Sequence, residues 1–318
     1  MNGFGLFLFL LGSLVPAAAT AAGSESGEHP GFVRIDHPEQ YTRVAAVSDV
    51  HGMLDSLLKV LQGAKLIGPK REWTGGKTLL LVVGDSIDKG PDSLGVLDLW
   101  ISLTPQAAAQ GGRIIHLLGN HEQTFLDDPK NKKAKEFRAE LKEKGIPKKA
   151  WEDLSLPRTR FLRTQPVYAQ VGLWAFFHSG YFPEEGWDRA QARADAVIRK
   201  GAYDDAFLTS DESPLEAREW WKHKKERKRA EKRMEEAGIA GVVFGHQPGA
   251  LGCRNTICAG DRGRLIKIDT GMLDRGPADG PGAVLIFSEP GELTGKNFPH
   301  VFSVGADGKM NPIPPESD

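Results

Sequence analysis

RVAAVSDVHGMLDSLLKVLQGA, residues 43–64, runs from a short apolar segment through Asp-x-His-Gly into an amphipathic one. Val44, Ala45, Ala46 and Val47 have the unbroken apolar character of a strand buried on both faces. Beyond Gly52, Leu54, Leu57, Leu58 and Leu61 fall on one helical stripe. A strand followed by a tight turn and a helix is a building unit of an α/β sheet. Asp49 and His51 then sit at the strand's carboxyl end, where open α/β sheets place their sites. On its own the triplet reads as a turn, so its meaning depends on how later strands end.

Five later apolar runs also end in polar groups. TLLLVVGD (78–85) delivers Asp85, with Asp88 close behind in GDSIDKG. RIIHLLGN (113–120) delivers Asn120, then His121 and Glu122. LWAFFHSG (173–180) carries His178, AGVVFGH (240–246) carries His246, and RLIKIDTG (264–271) carries Asp269. Singly, each has a plain structural reading: a buried, hydrogen-bonded histidine or an Asx-turn. Together they bring oxygen and imidazole donors to one sheet edge, a set that suits Mn²⁺, Fe or Zn²⁺.

Between the early runs, 53–64 and 93–103 read as helices, the second with Ser93 as N-cap. GAVLIFSE (282–289) and HVFSV (300–304) read as closing strands. Residues 122–172 and 181–238 are richer in charge and helix formers. SPLEAREWWKHKKERKRAEKRMEEAG (213–238) reads as one helix, opened by Ser213-Pro214 and stopped by Gly238. Its basic stretch, 222–233, reads as a solvated face with Trp220, Trp221 and Met234 turned inward.

The 318 residues suit one large domain or two small ones. Forty-one basic and 42 acidic residues leave a net charge of -1, so no nucleic-acid or membrane partner is expected from charge. FGLFLFLLGSLVP (4–16) followed by AAATAA (17–22) has the pattern of a secretory signal with a small-residue cleavage region. The apolar run is short for a membrane span. The expected layout is a signal peptide over 1–22, a flexible leader over 23–40, a domain over 41–305 and a tail over 306–318. The mature chain is expected to be secreted or periplasmic, with no membrane span. Cys253 and Cys258, in GCRNTICAG, are expected to form a small disulfide loop in an oxidising compartment. Half of a zinc site is the rival, and no second pair of cysteines exists to complete it.

In order, DVHG, GDSIDKG, GNHE, HSG and GHQP resemble the motifs of the calcineurin-like metallophosphoesterases, and most closely their phosphoprotein phosphatase branch. LLGNHE and IDTGM also resemble Shewanella-like phosphatases and diadenosine tetraphosphatases. The resemblance spans roughly 44–275. It implies a metallophosphatase-type β-sandwich of the α/β class, flanked by helices and capped by the two helical insertions. It also implies two divalent metal ions (Mn, Fe or Zn). Asp49 and His51 would hold one, Asn120, His178 and His246 the other, with Asp85 shared between them. A hydroxide between two such ions attacks phosphorus without a side-chain nucleophile. His121 would be the general acid, oriented by Asp88, while Lys89 and Asn120 would contact substrate phosphate.

Three departures stand out. Asp88-Lys89-Gly90 replaces the branch's Asp-Arg-Gly, and Lys offers a point charge where Arg grips bidentately. Gly245-His246-Gln247-Pro248 lacks the second His common in the wider superfamily, as the phosphoprotein phosphatases do. Ser48 stands where Gly is common. The second phosphate-gripping Arg is left open among Arg189, Arg193, Arg218 and Arg227. The expected function is hydrolysis of phosphomonoesters, with a phosphorylated Ser/Thr or Tyr side chain as substrate. Dinucleoside polyphosphate or nucleotide hydrolysis is a second reading, and a non-catalytic metal-binding interaction protein a third.

Overall fold

The apolar runs form strands distributed between two six-stranded sheets. The structure is a computed structural model that describes residues 30–273 and 280–315. The expected signal peptide, residues 1–22, lies outside the described residues.

In chain order the strands are β1 (Phe32–Ile35), β2 (Arg43–Val47), β3 (Thr78–Val83), β4 (Arg113–Leu117), β5 (Tyr168–Val171) and β6 (Trp174–Phe176). They continue as β7 (Gly241–Phe244), β8 (Cys258–Gly260), β9 (Leu265–Lys267), β10 (Val284–Phe287), β11 (Val301–Val304) and β12 (Met310–Pro312). One sheet has the order β12-β11-β10-β2-β3-β4, the other β1-β5-β6-β7-β9-β8. Each contains a parallel triplet: β2, β3 and β4 in the first, β6, β7 and β9 in the second. The six polar-ended runs are these two triplets.

Alternate residues of the central strands serve different cores. Leu79, Leu81 and Val83 of β3 face the other sheet and pack with Trp174, Phe176 and Val243. Leu80 and Val82 face outward against two helices, α1 (Leu54–Gly63) and α2 (Ser93–Ala109). The outer face of the second sheet, with Tyr168, Phe177 and Phe244, is covered by residues of the insertions, including Phe137, Trp187 and Trp220. Four layers result: helices, sheet, sheet, helices. Each fully buried large side chain contributes about 1.5–3 kcal/mol.

The first insertion holds α3 (Asn120–Asp127), α4 (Lys135–Glu143) and α5 (Pro157–Arg163). The second holds α6 (Trp187–Lys200), the short α7 (Ala206–Thr209) and α8 (Lys224–Glu236).

Several local expectations are corrected. Asp92, not Ser93, caps α2, its side chain accepting from Gly95 N at 2.8 Å. Residues 213–238 are not one helix: Glu219 takes a left-handed φ of 56°, and α8 begins only at Lys224. Trp220 and Trp221 are both buried, with ring centroids 5.9 and 6.0 Å from that of Phe244. Adjacent residues do not share a helix face, so burying both against one ring requires the chain to break there. The leader is ordered by Phe32, because β1 pairs in parallel with β5. The tail adds β12 to the edge of the first sheet. The 122–172 insertion ends in β5, a strand of the sheet rather than of the cap. Cys253 and Cys258 are disulfide-bonded. Among the described residues, no helix is long and apolar enough to cross a membrane.

Candidate metal centre

The two parallel triplets direct their carboxyl ends to one rim, and the backbone there leaves ordinary geometry. Asp49, His51, Asp85, Asp88, Lys89 and His246 all take positive φ, between 49° and 69°. Non-glycine residues enter that region at a cost and cluster at functional sites. Two glycines permit the close approach of neighbouring loops. A Cβ on Gly119 would fall 2.2 Å from Asp85 N, and one on Gly245 would fall 2.2 Å from Asp49 Oδ2.

Buried Glu122 locks these turns together. Its Oε1 accepts from Ser86 N (2.7 Å) and Ile87 N (3.0 Å), and its Oε2 from Asp85 N (2.9 Å) and Gly119 N (3.1 Å). The sequence places Glu122 at the rim within GNHE, but its positioning role emerges only from these four bonds.

At the second predicted position, acceptor atoms converge. His178 Nε2 lies 3.1 Å from Asn120 Oδ1, 3.2 Å from His246 Nδ1 and 3.3 Å from Asp85 Oδ2. His178 Nδ1 is 3.0 Å from the Val83 carbonyl, to which it donates, so the neutral ring carries its lone pair at Nε2. With the His246 proton on Nε2, four lone-pair atoms would face one another, an arrangement that a positive charge among them would satisfy. Burial opposes a charged ring, yet Asp85 and Asp49 push the His178 pKa up to about 10. A proton meets that demand at one atom, whereas a divalent cation meets it for all four. His246 is pressed toward the neutral form by burial, with the His178 and Arg218 charges adding to it.

The first predicted position is formed by Asp49, His51 and Asp85. His51 Nε2 lies 3.8 Å from Asp49 Oδ1 and 3.6 Å from Asp85 Oδ2. Asp85 thus reaches both clusters: His51, Asp85 and His121 bring ligand atoms within 4.8 Å of one another, as do Asp85, His178 and His246, and both donor sets fit a divalent cation. Burial raises the Asp49 pKa to about 6; His178 opposes and Asp85 reinforces that shift. Lys89 Nζ is 2.7 Å from His51 Nε2, placing its cation at this cluster. Asp269 is buried nearby, its carboxyl held well above the usual range by burial and by Asp49. Its loop is tied to the disulfide loop by buried Lys267, whose three N–H donors are shared among the carbonyls of Pro248, Cys253, Thr256 and Asp269, each 2.6–3.0 Å from Nζ.

His121 stands beside both clusters. Its Nδ1 lies 3.0 Å from Asp88 Oδ2 and 3.2 Å from the Lys133 carbonyl. Its Nε2 points to the centre, 4.0 Å from Asp85 Oδ2. Asp88 Oδ1 accepts from Phe137 N at 2.9 Å, so the first insertion fixes the carboxylate. Burial works against a charged Asp88, but its bonds to His121 and Phe137 hold its pKa below the usual value.

Of the four candidate arginines, Arg218 reaches the centre. Its charge bears on His246, and its Nη2 lies 3.9 Å from Glu216 Oε2, while Glu216 Oε1 accepts from Asn120 Nδ2 at 3.1 Å. Arg193 is engaged with Glu185 and Asp205 on the surface. Arg227 is half-buried in a small hollow with Trp221 and Asp261. Arg189 is exposed on α6. Nothing in the sequence singled out Glu216 or Lys133, which pairs with it.

The calcineurin-like phosphoesterase family model matches residues 42–261. Shewanella-like protein phosphatase 2 of Arabidopsis thaliana is 37% identical over 89 residues, 28% of this chain and 22% of that protein. Shewanella-like protein phosphatase 1 of Plasmodium berghei is 35% identical over 95 residues, 30% of this chain and 26% of that one. The matched segments thus span about a quarter of these relatives. Among solved structures, a cold-active protein-tyrosine phosphatase from a psychrophilic Shewanella superposes with a TM-score of 0.69 at 20% identity, covering 91% of this chain and 85% of that one. At that identity the likeness concerns the fold alone.

Proposed function

The chain belongs to the calcineurin-like phosphoesterases, and from that premise we propose that it hydrolyses phosphate monoesters on protein side chains, Ser/Thr or Tyr. The observation that carries this reading is the buried His121–Asp88 pair beside two donor clusters that share Asp85. A histidine so oriented can deliver a proton, and it also stands within ligand distance of His51 and Asp85. The protein phosphatases among its relatives support a protein substrate.

Asp49, His51 and Asp85 would hold one divalent ion, and Asp85, Asn120, His178 and His246 a second. Such a pair supplies Lewis acidity and activates water near neutral pH. The remaining work falls to the chain's own groups. Asn120 Nδ2, Arg218 and Lys89 offer donors to phosphoryl oxygens, and Arg218 supplies the planar fork that Lys89 lacks. Asp88 accepts the Nδ1–H of His121 and holds the ring with Nε2 turned to the centre. His121 Nε2 can then pass its proton to the departing side-chain oxygen. Export is part of the same proposal, and the Cys253–Cys258 disulfide supports it.

The test is an aryl-phosphate and phosphopeptide assay with Mn²⁺, with chelator, and with His121→Asn. We expect metal-dependent turnover that the substitution lowers by about 10²–10⁴-fold, the usual share of a general acid. A metal-loaded chain that hydrolyses no phosphomonoester would overturn the reading.

A further inference from the structure

Glu216 lies where the two insertions meet over the rim. Its Oε1 accepts from Asn120 Nδ2 at 3.1 Å and from the Lys133 ammonium. Its Oε2 lies 3.9 Å from Arg218 Nη2. Its own side chain is 14% exposed, against 40% for Lys133 and 52% for Arg218, so the acid sits beneath two cations that reach solvent. The placement is built in. Ser213 Oγ accepts from Leu215 N (3.2 Å) and Glu216 N (2.9 Å), a hydroxyl turn that aims the residue. Lys133 is anchored in turn, because its carbonyl is one of the two oxygens facing His121 Nδ1.

These partners have a second use. Asn120 turns Oδ1 toward His178, which leaves Nδ2 as its outward donor. One amide and two cations make a seat for an oxyanion. A carboxylate and a phosphoryl group want the same donors and cannot hold them together. We propose that Glu216 is an internal competitor for the substrate's phosphoryl group, which must displace it from Asn120 Nδ2 to bind. This inference rests on the phosphomonoesterase reading and names what limits the affinity of that site for the phosphoryl group. Glu216 therefore weakens the binding of any phosphoryl group, whose affinity scales with the fraction of molecules in which the seat is free.

The test is calorimetric titration of inorganic phosphate, and separately of dimethyl phosphate, into the full chain loaded with Mn²⁺. Glu216→Gln keeps the shape and removes the charge, while Glu216→Ala removes both. Each is expected to bind phosphate about tenfold more tightly than the wild type, as when a seat one-tenth available becomes free. Dimethyl phosphate should gain by the same factor, because a competitor for the seat lowers the apparent affinity of every ligand for it equally. Lys133→Gln should weaken phosphate binding. If Glu216 only orients Asn120, both Glu216 variants bind phosphate no better than the wild type, and the competition is overturned. A single folded variant suffices to decide. Absence of aryl-phosphate turnover in the wild type counts against the proposed reaction, whereas this comparison reads phosphate binding alone.

Discussion

His121 Nδ1 and Asp88 Oδ2 lie 3.0 Å apart, and both side chains are buried. The carboxylate is held on its far side by Phe137 N, so the ring is fixed from the cap as well as from the sheet. Asp88→Asn keeps the shape and removes the carboxylate that accepts the Nδ1–H of His121. We expect kcat for an aryl phosphate to fall by about 10²–10⁴-fold, with KM changed far less. A loss confined to KM would show that Asp88 serves binding and not proton transfer.

Ion counting tests the shared carboxylate. Elemental analysis of protein loaded with Mn²⁺ or Zn²⁺ should find two ions per chain. His246→Ala should cost one of them, and Asp85→Asn both. Metal at 100 times its Kd should add about 2.7 kcal/mol to unfolding stability for each ion bound, and chelation should remove it. An Asp85→Asn protein that keeps two ions would break the assignment.

Glu122 is expected to matter more for the turns than for the chemistry. Glu122→Ala strips a partner from four buried amides, those of Asp85, Ser86, Ile87 and Gly119. At about 1–3 kcal/mol for each buried group left unpaired, urea denaturation should show a loss of roughly 4 kcal/mol or more. A loss under about 1 kcal/mol would mean that the turns hold without it.

His116 carries the clearest acid sensitivity away from the centre. It is wedged between Trp100 and Phe161, at ring centroid distances of 5.2 and 4.7 Å, and neither ring nitrogen has a hydrogen-bond partner. Burial lowers its pKa from 6.5 to about 3. In that window the unfolded ring binds a proton and the folded ring does not. Stability from this group is therefore complete above pH 6.5 and is lost as the pH falls toward 3, by at most about 1.4 kcal/mol per unit. His116→Phe should flatten the acid limb of a stability–pH curve. It should also stabilise the protein by about 1 kcal/mol at neutral pH, by removing two unpaired polar atoms. An unchanged acid limb would show that another group governs it.

Much of the candidate site was legible because each candidate ligand sits within a few residues of a strand. Asp49, Asp85, Asn120, His178 and His246 each follow an apolar run whose burial on both faces is written in consecutive residues. The covalent chain then fixes where the ligand goes once the strand is placed. The same local character misled at 213–238, where helix-forming composition hid the fact that adjacent Trp220 and Trp221 both had to be buried.

The sequence by itself determined the strand ends, their order and the identity of the donors, because those depend on spacing along the chain. Tertiary structure alone decided that Arg218 rather than Arg189, Arg193 or Arg227 reaches the rim, and that Lys133 meets Glu216 across 83 residues. It also decided that Lys267 ties four carbonyls from two loops together. Such contacts form when insertions fold back over a sheet edge, and long-range pairing of charged side chains leaves no periodic trace in the sequence.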